Sequence, residues 1–149
     1  MKYLRQFQSF ATACILALSL SPIGAQADFT DSYAADAAKL VVQVSTGDPK
    51  DWNLALNNAK NVQQELGAQN ADIEIVVYGP GISMLKFDSA VANRIDEAVG
   101  DGVKIVACEN TMTAQKLTKD DMLASAGYVR AGVIELMKKQ KEGYAYIRP

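Results

Sequence analysis

The chain predicts an α/β fold built on a mostly parallel sheet with helices on both faces, and three observations carry that prediction. Short apolar, β-branched runs recur five times between residues 39 and 147. Stretches with apolar residues three and four apart stand between them, the spacing of one helix face. Glycine often marks the point where a helix hands back to a strand. This alternation is the pattern of βαβ units and a sheet covered on both sides.

The elements follow in order. Lys39-Leu40-Val41-Val42-Gln43-Val44 reads as a strand, ended by the turn cluster Ser45-Thr46-Gly47-Asp48-Pro49. From Asp51, Ala55, Ala59, Val62 and Leu66 share a helical face, and Gly67 stands at the stop position. Ile73 to Tyr78 is a second strand, broken by Gly79-Pro80-Gly81. Asp88 is the expected cap of a helix with Val91, Ile95 and Ala98 on one face. Val103 to Cys108 is the third strand, and Asn110 or Thr111 is the expected cap of a short helix running to about Leu117. Tyr128-Val129-Arg130 is a short strand. Gly132 to Gln140 is a helix with Val133, Leu136, Met137 and Gln140 on one side, and Tyr144 to Ile147 is the last strand.

Right-handed crossovers set the C-terminal ends of parallel strands along one sheet edge, and in open α/β sheets ligands bind outside those ends. Thr46-Gly47, Gly79-Pro80-Gly81 and Cys108 all fall there. Gly79 and Gly81 allow backbone to approach a ligand closely, although the spacing is neither a P-loop nor G-x-G-x-x-G. A plain strand-to-loop turn is the competing reading.

The N-terminus has the three-part layout of a secretory signal. Lys2 and Arg5 precede the apolar stretch Phe10–Leu20, and Ala25-Gln26-Ala27 supplies a small-residue cleavage site. That apolar core is shorter than the roughly 20 residues a spanning helix needs. Cleavage after Ala27 would leave one domain, residues 28–149, in the periplasm without a stable membrane anchor. From Asp28 on, 13 basic side chains face 17 acidic ones, a net charge of −4. This balance argues against nucleic acid as a partner. Lys138-Lys139-Gln140-Lys141 is the one basic cluster, expected to be a solvated helix end.

The chain contains no histidine. Imidazole-based catalysis and imidazole metal sites are thereby excluded, and cysteines for a zinc site are lacking. No metal and no cofactor is expected. Cys14 falls inside the expected signal, so Cys108 would be the only thiol of the processed protein. At a helix N-terminus a thiol pKa falls from about 8.5 into the range ~3.5–7.5. The bland alternative is a buried cysteine serving as a small hydrophobe. Met84 and Met112 are the other soft side chains that could join Cys108 on Cu(I), although methionine more commonly fills core gaps.

The runs Ile75-Val76-Val77-Tyr78-Gly79-Pro80-Gly81 and Gly102-Val103-Lys104-Ile105-Val106-Ala107-Cys108-Glu109-Asn110-Thr111-Met112 resemble the DsrE/DsrF-like family. The tail Ala131 to Leu136 with Gln140, Gly143 and Tyr144-Ala145-Tyr146-Ile147 is similar to its exported branch. The resemblance implies a three-layer α/β/α sandwich with a mostly parallel five-stranded sheet, assembled as a homo-trimer or homo-hexamer. It implies one catalytic candidate, Cys108, carrying sulfane sulfur as a persulfide for a partner thiol protein. On the chain's own pattern, helix amides near Asn110 and Thr111 would stabilise the anion, and backbone around Gly79 and Gly81 would shape the pocket. Two departures stand against a cytoplasmic relay role: the export signal, and the lack of the arginine-glycine segment that follows the cysteine in relay members. The alternatives are a non-catalytic small-ligand-binding module and a structural oligomeric subunit.

Overall fold

The computed structural model describes residues 37–149; the expected signal and cleavage site lie outside the described residues. Five strands form one sheet in the order β4-β3-β2-β1-β5. They are β1 (Ala38–Val44), β2 (Ala71–Val77), β3 (Lys104–Cys108), β4 (Gly127–Val129) and β5 (Ala145–Ile147), and every neighbouring pair is parallel. The helices are α1 (Pro49–Leu66), α2 (Ala92–Gly100), α3 (Glu109–Ala114) and α4 (Gly132–Lys141). The fold is the three-layer α/β/α sandwich the sequence predicts.

The larger core lies between the sheet and the α1/α2 layer. Val42, Ile73, Ile75, Val77 and Ile105 project from the strands toward Ala55, Leu56, Ala59 and Ile95. α1 starts cleanly because Asp48 accepts a hydrogen bond from the Lys50 N–H at 2.8 Å and Pro49 occupies the first turn. Trp52 is buried there and donates its indole N–H to the Thr46 carbonyl at 2.8 Å. The opposite face is covered by α4 through a smaller core of Val41, Val76, Leu136 and Tyr144.

Three local expectations are corrected. Asp88 does not cap α2: the helix begins at Ala92 after Val91, while Asp88 pairs with Lys86 Nζ at 3.6 Å. A turn from the Ser89 N–H to the Lys86 carbonyl occupies the residues where that cap would form. The face of α4 is also different. Gly132, Leu136 and Lys139 are buried, whereas Val133, Ile134 and Met137 stand 55%, 58% and 52% exposed. Lys139 is therefore not part of a solvated basic face. It pairs with Glu74 of β2 at 2.9 Å, with only 10% and 5% of the two side chains exposed. The apolar periodicity of α4 pointed outward because its inward stripe contains a glycine and a lysine.

After β2 the chain makes a 3-10 segment, Gly79–Leu85, that folds back on the end of β1. Gly81 lies so close to β1 that a Cβ there would sit 2.7 Å from the Val44 carbonyl oxygen and 3.0 Å from its carbon. Backbone cannot yield as a flexible side chain would. Gly81→Ala is expected to lower the stability read from urea unfolding by about 1–3 kcal/mol. Gly100, at the end of α2, faces open space. Gly100→Ala should leave stability equal or raise it by about 0.4–1 kcal/mol through the unfolded chain's entropy.

Candidate functional site

The connections out of neighbouring strands diverge between β3 and β4. The segment after β3 packs Met112, Met122 and Ala126 into the core on the α1/α2 side. The segment after β4 enters α4 on the other side. Strand ends whose connections part in this way leave a crevice, the usual ligand position in open α/β sheets. Cys108 is the last residue of β3 and pairs in register with Val129, the last of β4.

Alternation along β3 sends Ile105 and Ala107 into the α1/α2 core, and so turns Cys108 toward α4. Its side chain is 5% exposed. Sγ lies 3.9 Å from the Arg130 carbonyl, an acceptor for the thiol proton. The same carbonyl accepts the Asn110 N–H at 3.1 Å, which ties the start of α3 to the end of β4.

Cys108 itself occupies the N-cap of α3, with extended backbone at φ −77° and ψ 111°. The expectation that Asn110 or Thr111 would cap the helix is corrected. The helix begins directly at the strand end, so both residues fall in its first turn, with the Asn110 N–H bonded to the Arg130 carbonyl. It also ends at Ala114, earlier than expected. The Thr111 hydroxyl accepts the Gly79 N–H at 3.1 Å, which ties the start of α3 to the turn after β2. Burial pushes the thiol pKa up. The Thr111 hydroxyl and the N–H groups of Gly132, Thr111 and Asn110 outweigh it and hold the pKa below the ordinary thiol value. The anion is thus favoured by dipoles from two helix starts, without a cationic side chain among the main causes.

The structure brings Gly79, Asn110 and Thr111 together around Cys108. Gly81 is set apart, packed on Val44 as described above. Met84 and Met112 belong to the core on the α1/α2 side and do not share a site with the sulfur. Among the described residues no group of three or more histidine, cysteine or acidic side chains could hold a metal.

Further members of the site were not apparent from local sequence. Gly132 supplies an N–H and presses on Tyr78: a Cβ at Gly132 would lie 3.0 Å from the ring's Cδ1. On the same sheet face, Gln43 Oε1 accepts the Tyr146 hydroxyl at 2.7 Å and Gln43 Nε2 donates to Ser45 Oγ at 3.0 Å. Burial raises the Tyr78 pKa, with Tyr146 and the thiol charge adding to it and Arg148 opposing. Period-two alternation places residues 43, 78, 108 and 146 on one sheet face, a signal usable only once strand order is known. Beside the thiol, Asn110, Val129, Arg130, Ala131, Ile134 and Glu135 line a shallow pocket of about 280 Å³.

Comparison with solved structures finds proteins of the same fold. MTH1491 from Methanobacterium thermoautotrophicum, described as a protein of unknown function, is 33% identical with a TM-score of 0.71, covering 75% of this chain and 99% of its own. BT1422 from Bacteroides thetaiotaomicron shares the fold at 22% identity and TM-score 0.60, over 74% of this chain and 94% of its own. So does the ychN protein from E. coli, at 11% identity and TM-score 0.61, over 74% of this chain and 99% of its own. No curated protein matches the chain. The DsrE/DsrF-like sequence profile matches residues 30–149, almost the whole of the chain beyond the expected signal, and the chain belongs to the DsrE/DsrF-like family.

Proposed function

We propose that this protein is a periplasmic sulfur handler that holds sulfane sulfur as a persulfide on Cys108. The observation that carries this reading is the donor set around the sulfur. Cys108 sits at the N-cap of α3 with its Sγ 3.9 Å from the Arg130 carbonyl, and the Thr111 hydroxyl and neighbouring N–H groups lower its pKa, none of which a cysteine that merely fills space requires. The thiolate would attack the outer sulfur of a donor persulfide, R–S–SH. A new S–S bond forms to Cys108 as the donor's S–S bond breaks, and R–S⁻ leaves. An acceptor thiolate then takes the outer sulfur and returns Cys108 to its thiolate. Each transfer is redox-neutral, so no external oxidant or reductant is consumed. Donors would approach through the pocket beside Asn110 and Arg130.

The 5% exposure of Cys108 favours a second reading, a structural subunit or small-ligand module without thiol chemistry. Burial has a benefit under the first reading as well, because it limits oxidation of the sulfur in an oxidising compartment.

Treatment of the purified protein with a sulfane-sulfur donor should add one sulfur atom, removable by reductant, and Cys108→Ser should abolish the adduct. Mass spectrometry of the same exported protein should read an N-terminus at Asp28. Alkylation of Cys108 only after denaturation, with no sulfur adduct in the native state, would favour the structural subunit.

The depressed thiol pKa also makes stability depend on pH. A thiol that ionises more readily folded than unfolded contributes stability above its unfolded pKa and loses it as pH falls through the folded one. The stability of the native chain relative to Cys108→Ser should therefore rise with pH from acid up to about 8.5 and then level off, as read by urea midpoints across pH.

The exposed stripe of Val133, Ile134 and Met137 on α4 suits contact with further copies, as a homo-trimer or homo-hexamer. Light scattering should report one of these, and Met137→Asp should shift the population toward monomer.

A further inference from the structure

We propose that the Lys139–Glu74 ion pair is a positioning device that holds the Gly132 N–H on the Cys108 sulfur through the rigid body of α4. The inference rests on Cys108 acting as a thiolate under the function proposed above. Gly132, Leu136 and Lys139 form one inward stripe of α4. Gly132 and Lys139 are two turns apart, about 10 Å along the axis. Gly132 meets Tyr78 at the C-terminal ends of the strands, two residues beyond Arg130, whose carbonyl lies 3.9 Å from the Cys108 sulfur, and its N–H is among the groups that lower the thiol pKa. Lys139 meets Glu74 nearer the beginnings of the strands.

Between them Leu136 packs with Val41 and Val76, an apolar contact that would hold the helix without fixing how far it slides. The ion pair supplies the register. Lys139 is held from several directions. Glu74 Oε2 is 2.9 Å away, the Tyr144 ring lies 4.7 Å beneath the ammonium, and the Lys139 carbonyl accepts the Tyr144 N–H at 3.0 Å. Tyr144 in turn donates its hydroxyl to Asp72 on β2. Despite burial, Glu74 and Tyr144 keep Lys139 protonated, its pKa raised to about 12.

Stability alone does not account for this arrangement. Glu74 Oε1 is buried and has no hydrogen-bond partner among the described residues. A buried pair left half-satisfied is commonly no better than two packed apolar side chains, whereas fixing register is the best-attested use of such pairs. The sulfur needs that register, because a hydrogen bond weakens steeply when its donor moves or tilts.

The test compares thiolate ultraviolet absorbance against pH, and iodoacetamide rates, in the purified full chain and its variants. Around the thiol, Tyr78 after β2, Glu109 on α3, Arg130 after β4 and Glu135 on α4 are left intact. Glu74→Gln and Lys139→Met should move the Cys108 titration to higher pH, slowing alkylation at about pH 6.5 by about three- to tenfold. Lys139→Arg, which keeps the charge, should restore the native titration. Ile95→Val, a destabilising change in the opposite core, should leave it unchanged. If neither single variant folds, the double variant Glu74→Met with Lys139→Met removes both charges at similar volume and should show the same upward shift. A folded variant lacking the pair but titrating like the native chain would overturn the proposal. A native chain that takes no sulfane sulfur, while its variants still shift the titration, would overturn the carrier function and leave the coupling intact.

Discussion

One face of the five-stranded sheet is covered, among the described residues, by the ten-residue helix α4. That constraint follows from the strand order. β1 to β4 advance in one direction with their connections on the α1/α2 side, and the chain must then return across the sheet to place β5 beside β1. The return passes over the opposite face and consists of α4. The face it covers mixes Val41, Val76 and Val106 with Gln43, Asp72, Glu74 and Lys104 on the strands. The helix matches this with a glycine, a leucine and a lysine on its inward side. Gly132 allows the backbone to meet Tyr78, Leu136 closes the apolar centre, and Lys139 neutralises Glu74.

The chemistry at Cys108 depends on the same seating. Burial by itself disfavours the charged form of an acid and raises its pKa. Here the net direction is downward, so the hydrogen bonds from Thr111, Gly132 and Asn110 outweigh that cost. Thr111 and Asn110 are local to the cysteine and come with the start of α3. Gly132 comes from another element altogether, and the divergence of the β3 and β4 connections is what lets two helix starts meet at one sulfur. With no histidine in the chain, backbone and hydroxyl dipoles supply the stabilisation.

Much of the fold was legible in the sequence. Strand positions followed from β-branched runs, α1 from its apolar period, and the edge position of Cys108 from parallel topology. The legible part of the site was likewise local, with Asn110 and Thr111 beside the cysteine and Gly79 at the end of the preceding strand. Misreadings arose where distant groups compete with local pattern. Asp88 was bound by Lys86 instead of capping α2, and Thr111 turned its hydroxyl to Gly79 instead of capping α3. Gly81 looked like ligand-facing backbone and is instead a close contact between chain segments.

The sequence by itself determined the alternation of elements, the single candidate thiol beyond the expected signal and the exclusion of imidazole chemistry, because these depend on composition and short-range periodicity. Only the tertiary structure decided which face of α4 is buried, that Lys139 lies against Glu74, and that Gly132, Tyr78 and Gln43 gather near Cys108. Those outcomes depend on strand order and register across dozens of residues. A lysine reads as exposed until the carboxylate that makes its burial tolerable is brought to it from another strand.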